Sequence, residues 1–214
     1  LMNRYIYRRI SAFLIDMFLV VLVATLFSGI KYMNPLMDNY EEAYSEYSTI
    51  YKESSSDLLK STTFSEINKF AKKIGKAIYK LDLTTSLTNF YYLVFYFLYF
   101  VVFAYFTDGQ TIGKRMFKLR VVGNDGKKVK FSSLFLRGLV SGNTLFIGVN
   151  IMVIIELLCL LFPQNEIYIY ATAIVSMISY IIEIIALVLL FTKSHRSLDD
   201  YVGKTKVVDE VNYV

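Results

Sequence analysis

Apolar and polar stretches alternate along the chain, and four of the apolar stretches are long. They lie at about residues 10–30, 88–106, 143–162 and 167–191. As helices that rise about 1.5 Å per residue, stretches of this length match a hydrocarbon core of about 30 Å. The pattern therefore predicts an all-α membrane protein with four transmembrane helices.

The polar loop at 31–87 shows helical periodicity in two places. Asn34-Pro35 is a typical helix start, and four tyrosines follow it at helical spacing: Tyr40, Tyr44, Tyr47 and Tyr51. Farther along, Thr63 and Glu66 form a capping-box pattern ahead of an apolar stripe. The first half of the loop is acidic and the second is basic, so we predict a helical hairpin with its turn at Ser54–Ser56. The alternative is two amphipathic helices that lie separately on the outer leaflet.

A small β element is predicted in the polar segment at 107–140. Two stretches with alternating or β-branched residues, FKLRVV and KKVKF, flank the sequence Gly-Asn-Asp-Gly, which is a strong hairpin signal. The stretch Thr205–Val208, near the C-terminus, has the same character and is a candidate third strand.

The distribution of charge predicts the orientation of these elements. The stretch Asp108–Arg137 carries eight Lys or Arg against two Asp, whereas basic and acidic residues cancel in the 31–87 loop. The positive-inside rule therefore places segment 107–140, the tail at 192–214 and both termini in the cytoplasm, with the 31–87 loop outside. Residues 1–214 are thus predicted to form a single membrane domain.

Composition supports a membrane protein and narrows its partners. Hydrophobic residues make up 55% of the 214 residues, and the formal net charge is +5. Lysines spread around hydrophobic spans attract the anionic headgroups of a lipid bilayer, and this arrangement argues against a nucleic-acid partner. Cys159 is the only cysteine, so it can form no internal disulfide.

Three carboxylates fall inside the apolar stretches, at Asp16, Glu156 and Glu183. A charged side chain at mid-bilayer costs about 2.5–3.5 kcal/mol on insertion scales, so each carboxylate needs a charge partner, water or a bound proton. Asp16 lies two helical turns beyond Arg9 on the same face. This spacing favours a structural pair of Asp16 with Arg9 or Arg137.

Glu183 ends a polar stripe on the fourth apolar stretch. The other members of the stripe, at helical spacing, are Thr172, Ser176 and Ser179. The stripe predicts a two-level relay for protons or cations, with Glu156 at the outer level and Glu183 with Asp16 at the inner level. In the alternative, both glutamates are neutral and hydrogen-bond to tyrosines of the second stretch, which links the helices. Those tyrosines are Tyr92, Tyr96 and Tyr99.

The sequence argues against enzymatic chemistry. His195 is the only histidine, so a zinc site lacks ligands and we interpret His195 as a surface residue. The stretch GQTIGK is similar to a phosphate-binding loop, but its glycines are one residue too close together. Arg115 also replaces the Ser or Thr that would bind magnesium. We therefore expect no catalytic residues, no metal and no cofactor.

Several motifs together resemble the RDD family of bacterial membrane proteins. They are RRISAFLID in the first apolar stretch, DGQTIGKRMFKLRVVGNDGK after the second, LFLRG around Arg137, and SLDDYVGKT near the end. The resemblance implies that the arginine and two aspartates for which the family is named are Arg9, Asp16 and Asp200. It also implies that the GQT-x-GK motif of the family is formed by Gly109, Gln110, Thr111, Gly113 and Lys114.

Two features of this chain differ from the family pattern. Asp199 stands where the family often has a histidine, and the 31–87 loop is longer than usual. A tail aspartate beside a strongly basic interface gains from a bidentate arginine, so we expect Asp200 to pair with Arg9, Arg115 or Arg137. The alternative is an exposed, solvated Asp200.

The resemblance implies two classes of function, since cation/proton antiport is proposed for some members and regulation of other membrane proteins for others. Our first hypothesis is a multi-pass protein of the bacterial cytoplasmic membrane that transports protons or monovalent cations. Four spans are few for a transporter, so transport implies a homo-oligomer. The alternative is a non-catalytic protein that binds and regulates a partner membrane protein or lipid. A hydrated interior favours the first hypothesis, and a dry, fully paired interior favours the second.

Overall fold

Helices dominate residues 2–58, 63–143, 148–161 and 166–210, which the computed structural model describes. In chain order the helices are α1 (Met2–Ser28), α2 (Tyr40–Leu58), α3 (Phe64–Phe97), α4 (Ala104–Phe106), α5 (Ile112–Met116), α6 (Phe131–Val140), α7 (Asn150–Cys159), α8 (Glu166–Leu190) and α9 (Leu198–Val202). The strands are β1 (Leu119–Gly123), β2 (Gly142–Asn143), β3 (Gly148–Val149) and β4 (Thr205–Asp209). A 3-10 helix, Pro35–Asn39, precedes α2, and a π-helical segment, Leu98–Phe103, joins α3 to α4.

Three helical stretches in the described residues are long and apolar enough to cross a membrane, namely Arg4–Ser28, Ser65–Phe106 and Tyr168–Leu190. They contain most of the predicted spans at 10–30, 88–106 and 167–191. The predicted span at 143–162 lies partly outside the described residues. Its described helix, α7, has ten residues and is about 15 Å long, which is too short to cross alone. The fourth span is therefore not confirmed.

The second spanning helix is longer than the sequence pattern predicted. We predicted a loop helix and a separate span, but one helical stretch runs from Ser65 to Phe106. The polar residues between the two parts do not interrupt it, because their hydroxyl groups donate to carbonyl oxygens three residues earlier. These hydroxyls belong to Thr84, Thr85 and Ser86. Residues 76–106 also include neither Pro nor Gly, so no residue there forces the helix to end.

Helix α2 packs against the N-terminal half of α3. Two ion pairs join the acidic helix to the basic one, Glu46–Lys80 at 2.6 Å and Glu53–Lys73 at 3.3 Å. The predicted turn at Ser54–Ser56 is wrong, since α2 continues to Leu58. Residues 59–62, which connect the two helices, lie outside the described part of the chain. The capping box at the start of α3 is confirmed: the amide nitrogen of Thr63 donates to Glu66 Oε2 at 3.3 Å.

The β element pairs distant parts of the chain. Strand β1 is antiparallel to β4, with Val121 opposite Val207. The predicted hairpin around Gly-Asn-Asp-Gly reduces to one bridge, between Val122 and Lys128. Its second arm has little room, because α6 already begins at Phe131. The C-terminal segment, predicted as an additional strand, is instead the main partner of β1.

Two apolar clusters hold these elements together. One includes Ala12, Val101, Leu119, Leu134 and Val207, so it joins α1, the π-helical segment, α6 and the two paired strands. The other cluster lies deeper in the helices and is formed mainly by Met17, Val20, Ala24, Tyr92, Leu93, Tyr96 and Val153. The first cluster supports the end of the molecule where the charged motif residues meet.

Candidate functional site

Helix α1 carries an arginine and an aspartate two turns apart, and each binds a different segment of the chain. Arg9 contacts the C-terminal segment, and Asp16 contacts the segment that follows the second spanning helix. Both side chains lie on one face of α1 because they are seven residues apart. The helix thus brings together segments that are nearly a hundred residues apart in sequence.

The carboxylate of Asp16 is fully buried and receives a complete set of donors. Its Oδ1 accepts hydrogen bonds from the hydroxyl of Tyr99 and from the amide nitrogen of Gly113, both at 2.7 Å. Its Oδ2 accepts a hydrogen bond from Thr111 Oγ1 and lies 3.7 Å from Lys114 Nζ. A buried carboxylate is tolerated when donors and a counter-charge replace its water. We expected Arg9 or Arg137 as the partner of Asp16, and the structure places Lys114 there instead.

The GQT-x-GK motif is a turn built around Asp16. Thr111 caps α5 by accepting the amide hydrogen of Lys114 at 3.4 Å. A Cβ atom at Gly113 would lie 2.2 Å from the carbonyl oxygen of Ala12, so only glycine allows α5 to approach α1 this closely. Gly109 has a φ angle of +82°, and a Cβ atom there would meet the carbonyl oxygen of Val121 at 2.0 Å. Both glycines therefore serve to position the Asp16-binding turn.

Gln110, the remaining motif residue, is buried and donates from Nε2 to the carbonyl oxygen of Leu119 at 3.4 Å. This bond fastens the turn to strand β1.

Tyr99 lies in the π-helical segment and joins the span to the motif. Its hydroxyl group donates to Asp16 and accepts the amide hydrogen of Ile112 at 3.0 Å. A π-helical segment inserts an extra residue in a helical turn, and such segments frequently occur at functional sites. The sequence alone did not reveal this role, because it gave Tyr99 only as one of three tyrosines that could hydrogen-bond to the glutamates.

A second charged cluster fixes the C-terminal segment. Asp200 is fully buried and binds two arginines: Arg9 Nη2 lies 2.7 Å from its Oδ2, and Arg137 Nη1 contacts its Oδ1. Arg137 Nη2 also lies 2.6 Å from Asp199 Oδ2. Arg115, the third arginine considered from sequence, is exposed on α5 and is not part of this cluster. His195, interpreted as a surface residue, is half-buried, and its carbonyl oxygen accepts a hydrogen bond from Arg9.

The arginines determine the protonation of this cluster. Burial by itself would raise the pKa of Asp200, but Arg137 and Arg9 more than offset it and lower that pKa to about 2. Burial would likewise lower the pKa of Arg137, whereas Asp199 and Asp200 raise it. Asp200 and Arg137 are therefore charged at neutral pH.

A cavity of about 220 Å³ lies beside both clusters, and we call it the inner cavity. Its apolar wall includes Phe13, Leu14, Phe100 and Leu187. Its charged lining consists of Arg9, Lys114, Arg137, Glu183 and Asp199. Asp16 is not part of the lining, because the Asp16-binding turn covers it.

Glu183 differs from Asp199, the other acid that lines the inner cavity, because one of its oxygen atoms has no partner. Its side chain is buried, and within the described residues its Oε1 atom has no hydrogen-bond partner. Three other buried oxygen atoms of the described residues share this property: the hydroxyl of Tyr92, Oδ1 of Asn150 and Oδ1 of Asn34. Unpartnered buried oxygens indicate bound water or another ligand.

A second cavity, of about 300 Å³, lies between α3, α7 and α8, and we call it the outer cavity. It contains the carboxylates of Glu156 and Asp82. Ser176 donates to Glu156 Oε1 at 3.2 Å, and the hydroxyl of Tyr168 donates to Asp82 Oδ2 at 2.8 Å. We missed Asp82 because the sequence pattern assigned it to the loop. The lack of Pro and Gly between residues 76 and 106 was the available signal that the helix continues.

Helix α8 connects the two cavities. Thr172 and Ser176 line the outer cavity, and Glu183 lines the inner one. Ser179, between them on the same helical face, is buried. The polar stripe predicted on the fourth apolar stretch therefore runs from one cavity to the other.

The chain was compared with known proteins in three ways. A family model described as the RDD family matches residues 5–204, which is nearly the whole chain. Neither a search of curated proteins nor a search of solved structures gave a match. The matched range contains both charged clusters, the outer cavity and every lining residue of the inner cavity except Val207.

Replacing Gly113 by alanine should separate the motif turn from Asp16. The added Cβ atom would lie 2.2 Å from the carbonyl oxygen of Ala12, so α5 must move and the bond from the Gly113 amide to Asp16 is lost. We expect a loss of about 1–3 kcal/mol, measured by unfolding of the purified protein in detergent. Gly29→Ala is the control, since the atom nearest to its Cβ would be the carbonyl oxygen of Thr25, at 3.4 Å. Equal stability of the two variants would contradict this role of Gly113.

Replacing Asp200 by asparagine should leave Arg9 and Arg137 with one uncompensated buried charge and cost about 3–5 kcal/mol at pH 7. Asp38→Asn, which breaks an exposed pair with Lys31, is the control and should cost about 1 kcal/mol or less.

The cost of Asp200→Asn should also depend on pH. The pKa of Asp200 is about 2 in the folded protein and about 3.9 in an unfolded chain. The stabilisation is therefore complete above about pH 4 and lost as the pH falls to about 2. Unfolding measured across this range should show the wild type approaching the variant, and a constant difference would argue against the assignment.

Proposed function

We propose, from the premise that the chain belongs to the RDD family, that it carries protons or monovalent cations across a membrane through the carboxylates of its two cavities. The family match and three long apolar helices make it a membrane protein. The observation that carries the transport proposal is Glu183, a buried carboxylate that has a free oxygen atom in a cavity. A carboxylate at membrane depth without a fixed partner can exchange protons or bind a cation.

The outer cavity supports the proposal because it supplies a second level of carboxylates. Glu156 and Asp82 accept hydrogen bonds there from hydroxyl groups only, and no lysine or arginine is among the lining residues described. From Ser176 to Glu183 is two helical turns, or about 10 Å. Ser179, the hydroxyl of Tyr92 and Oδ1 of Asn150 supply polar atoms for water between the two levels.

Asp16, which we predicted at the inner level of the relay, has a different role in this proposal. Its two oxygen atoms already have partners, and it does not line the inner cavity. Asp16 fixes the shape of the site, and the relay consists of Glu156, Asp82 and Glu183.

We further propose the topology that the charge pattern predicts. The basic segment at 107–140 and both termini lie in the cytoplasm, α2 and the first half of α3 lie outside, and the protein resides in the bacterial cytoplasmic membrane. A fourth crossing within residues 143–162 completes this topology. The inner cavity then faces the cytoplasmic leaflet, and a homo-oligomer supplies the remaining wall of a transport path.

A binding role is the second candidate, and the charged cluster at the C-terminal segment favours it. Arg9, Arg137, Asp199 and Asp200 are mutually paired and almost entirely buried, as expected of a rigid support for a partner membrane protein or lipid. In that case the protein is non-catalytic and its carboxylates carry no ion. The two candidates differ in what they require of Glu183.

The transport proposal predicts that Glu183→Gln abolishes flux but preserves the fold. Glutamine keeps the size and hydrogen-bonding capacity of the side chain, but it cannot release a proton or bear the charge. Proton and monovalent-cation flux would be measured in liposomes that contain purified protein, under imposed pH and cation gradients. Tyr180→Phe is a matched control on the same helix, because Tyr180 is exposed.

We expect flux in Glu183→Gln at the level of empty liposomes, and flux in Tyr180→Phe at the wild-type level. Wild-type liposomes that show no flux above empty ones would refute transport and leave the binding role.

The topology predicts opposite accessibility of α2 and the turn after β1. Single cysteines would replace Ser45 and Lys127, both exposed, in a background in which Cys159 is replaced by serine. An impermeant thiol reagent applied to intact cells should label the cysteine at position 45 and spare the one at 127 until the cells are opened. Equal labelling, or the reverse pattern, would overturn the topology.

A further inference from the structure

Three cationic side chains line the inner cavity together with Glu183, and they differ in what they can do with a proton. Arg9 and Arg137 are paired with Asp200 and Asp199 at 2.7 and 2.6 Å. An arginine does not deprotonate in proteins, so neither can accept or release a proton. Lys114 is the remaining cation among the described lining residues, and an amine can do both.

Lys114 is held more loosely than the two arginines. Its Nζ atom lies 3.7 Å from Asp16 Oδ2, beyond hydrogen-bond length, and donates to Thr111 Oγ1 at 3.2 Å. It also lies 5.2 Å from the centre of the Phe100 ring, which forms part of the cavity wall. An ammonium group has three hydrogens, so Lys114 keeps a donor available for water in the cavity.

The charged groups that act on Lys114 come from three elements. Asp16 and Arg9 face it from α1, Arg137 from α6 and Asp199 from α9. Burial is the largest influence and lowers the pKa of Lys114 to about 8, with Asp16 partly opposing it. Near neutral pH the amine can therefore exchange its proton without a large cost.

We propose that Lys114 is the group that exchanges protons with Glu183 across the inner cavity. The inference rests on the transport function proposed above and adds the second exchanging group of the inner level. In this step the protonated carboxyl of Glu183 gives its proton to the neutral amine of Lys114, through cavity water. The products are a carboxylate on Glu183 and an ammonium on Lys114. The ammonium then releases the proton to water at the accessible part of the Lys114 side chain.

Asp16 has a supporting part in this step. Its negative charge lies next to the ammonium form of Lys114 and stabilises it, while its own oxygen atoms stay engaged with Tyr99, Thr111 and Gly113. The GQT-x-GK motif thus presents its lysine to the cavity and its backbone to Asp16. Glu183 lines the same cavity from α8, and Tyr92 on α3 lies within electrostatic reach of Glu183.

The first experiment separates the charge of Lys114 from its ability to titrate. Lys114→Arg keeps the positive charge beside Asp16 but cannot release a proton. In the liposome assay we expect at least about tenfold slower proton flux, a change that corresponds to 1.4 kcal/mol, with unfolding close to wild type. Lys128→Arg is the matched control, since Lys128 is an exposed lysine that pairs with Asp108 at 2.5 Å. Wild-type flux and pH profile in Lys114→Arg would overturn the proposal.

The second experiment measures the protonation of Lys114 directly and does not depend on flux. Lysine side chains labelled with carbon-13 at Cε would be titrated by NMR in detergent, and the Lys114 signal identified by its absence in Lys114→Arg or Lys114→Met. We expect one lysine to titrate near pH 8, well below the exposed lysines. Its midpoint should move to lower pH in Glu183→Gln, because the proposed exchange partner in the same cavity can no longer bear a negative charge.

A Lys114 midpoint that is unchanged by Glu183→Gln would overturn the coupling between the two groups, whatever the flux. A shifted midpoint in a protein without flux would instead refute transport and keep the Lys114–Glu183 pair. Lys114→Met identifies the signal as well as Lys114→Arg does, so the titration decides the matter even if Lys114→Arg does not fold.

Discussion

The burial of one carboxylate, that of Asp16, is the constraint on which this structure depends. A carboxylate removed from water needs several donors at once, and no single neighbouring helix can supply them. The donors here come from Tyr99 in the second spanning helix and from the turn around Thr111 and Gly113. The hydrogen bonds to Asp16 therefore fix the distance between the first and second spans, and they fix the position of the turn that follows the second span.

Helix α1 also fixes the C-terminal segment, in this case through the positive charge of Arg9. Arg9 binds Asp200, and Arg137 approaches Asp200 from α6. Strand β4, which begins at Thr205, then pairs with β1, which directly follows the Asp16-binding turn. The short sheet of β1 and β4 thus connects the two charged clusters. The inner cavity lies between these clusters and α8.

The sequence predicted what depends on local pattern. Three spans, the Thr63–Glu66 capping box and the position of Glu183 in a polar stripe follow from periodicity and residue type. The partner of Asp16 does not follow from a local pattern. Helical spacing favoured Arg9, whereas Lys114 reaches Asp16 only through a turn whose path depends on Gly109 and Gly113. We placed the boundary between the loop and the second span where the polar residues end. Polar residues do not end a helix, however, when their hydroxyl groups bond to carbonyl oxygens of the same helix.

The continuous helical stretch Ser65–Phe106 has a mechanical consequence. Its 42 residues are about 63 Å long, roughly twice the thickness of a hydrocarbon core, so a large part of it stands clear of the bilayer. Helix α2 braces that part, which makes it a stiff lever arm. A force applied at the tip would therefore act along the helix on the π-helical segment. The first polar group of that segment is the hydroxyl of Tyr99, so tension at the far end of the helix would act on the hydrogen bond that holds Asp16.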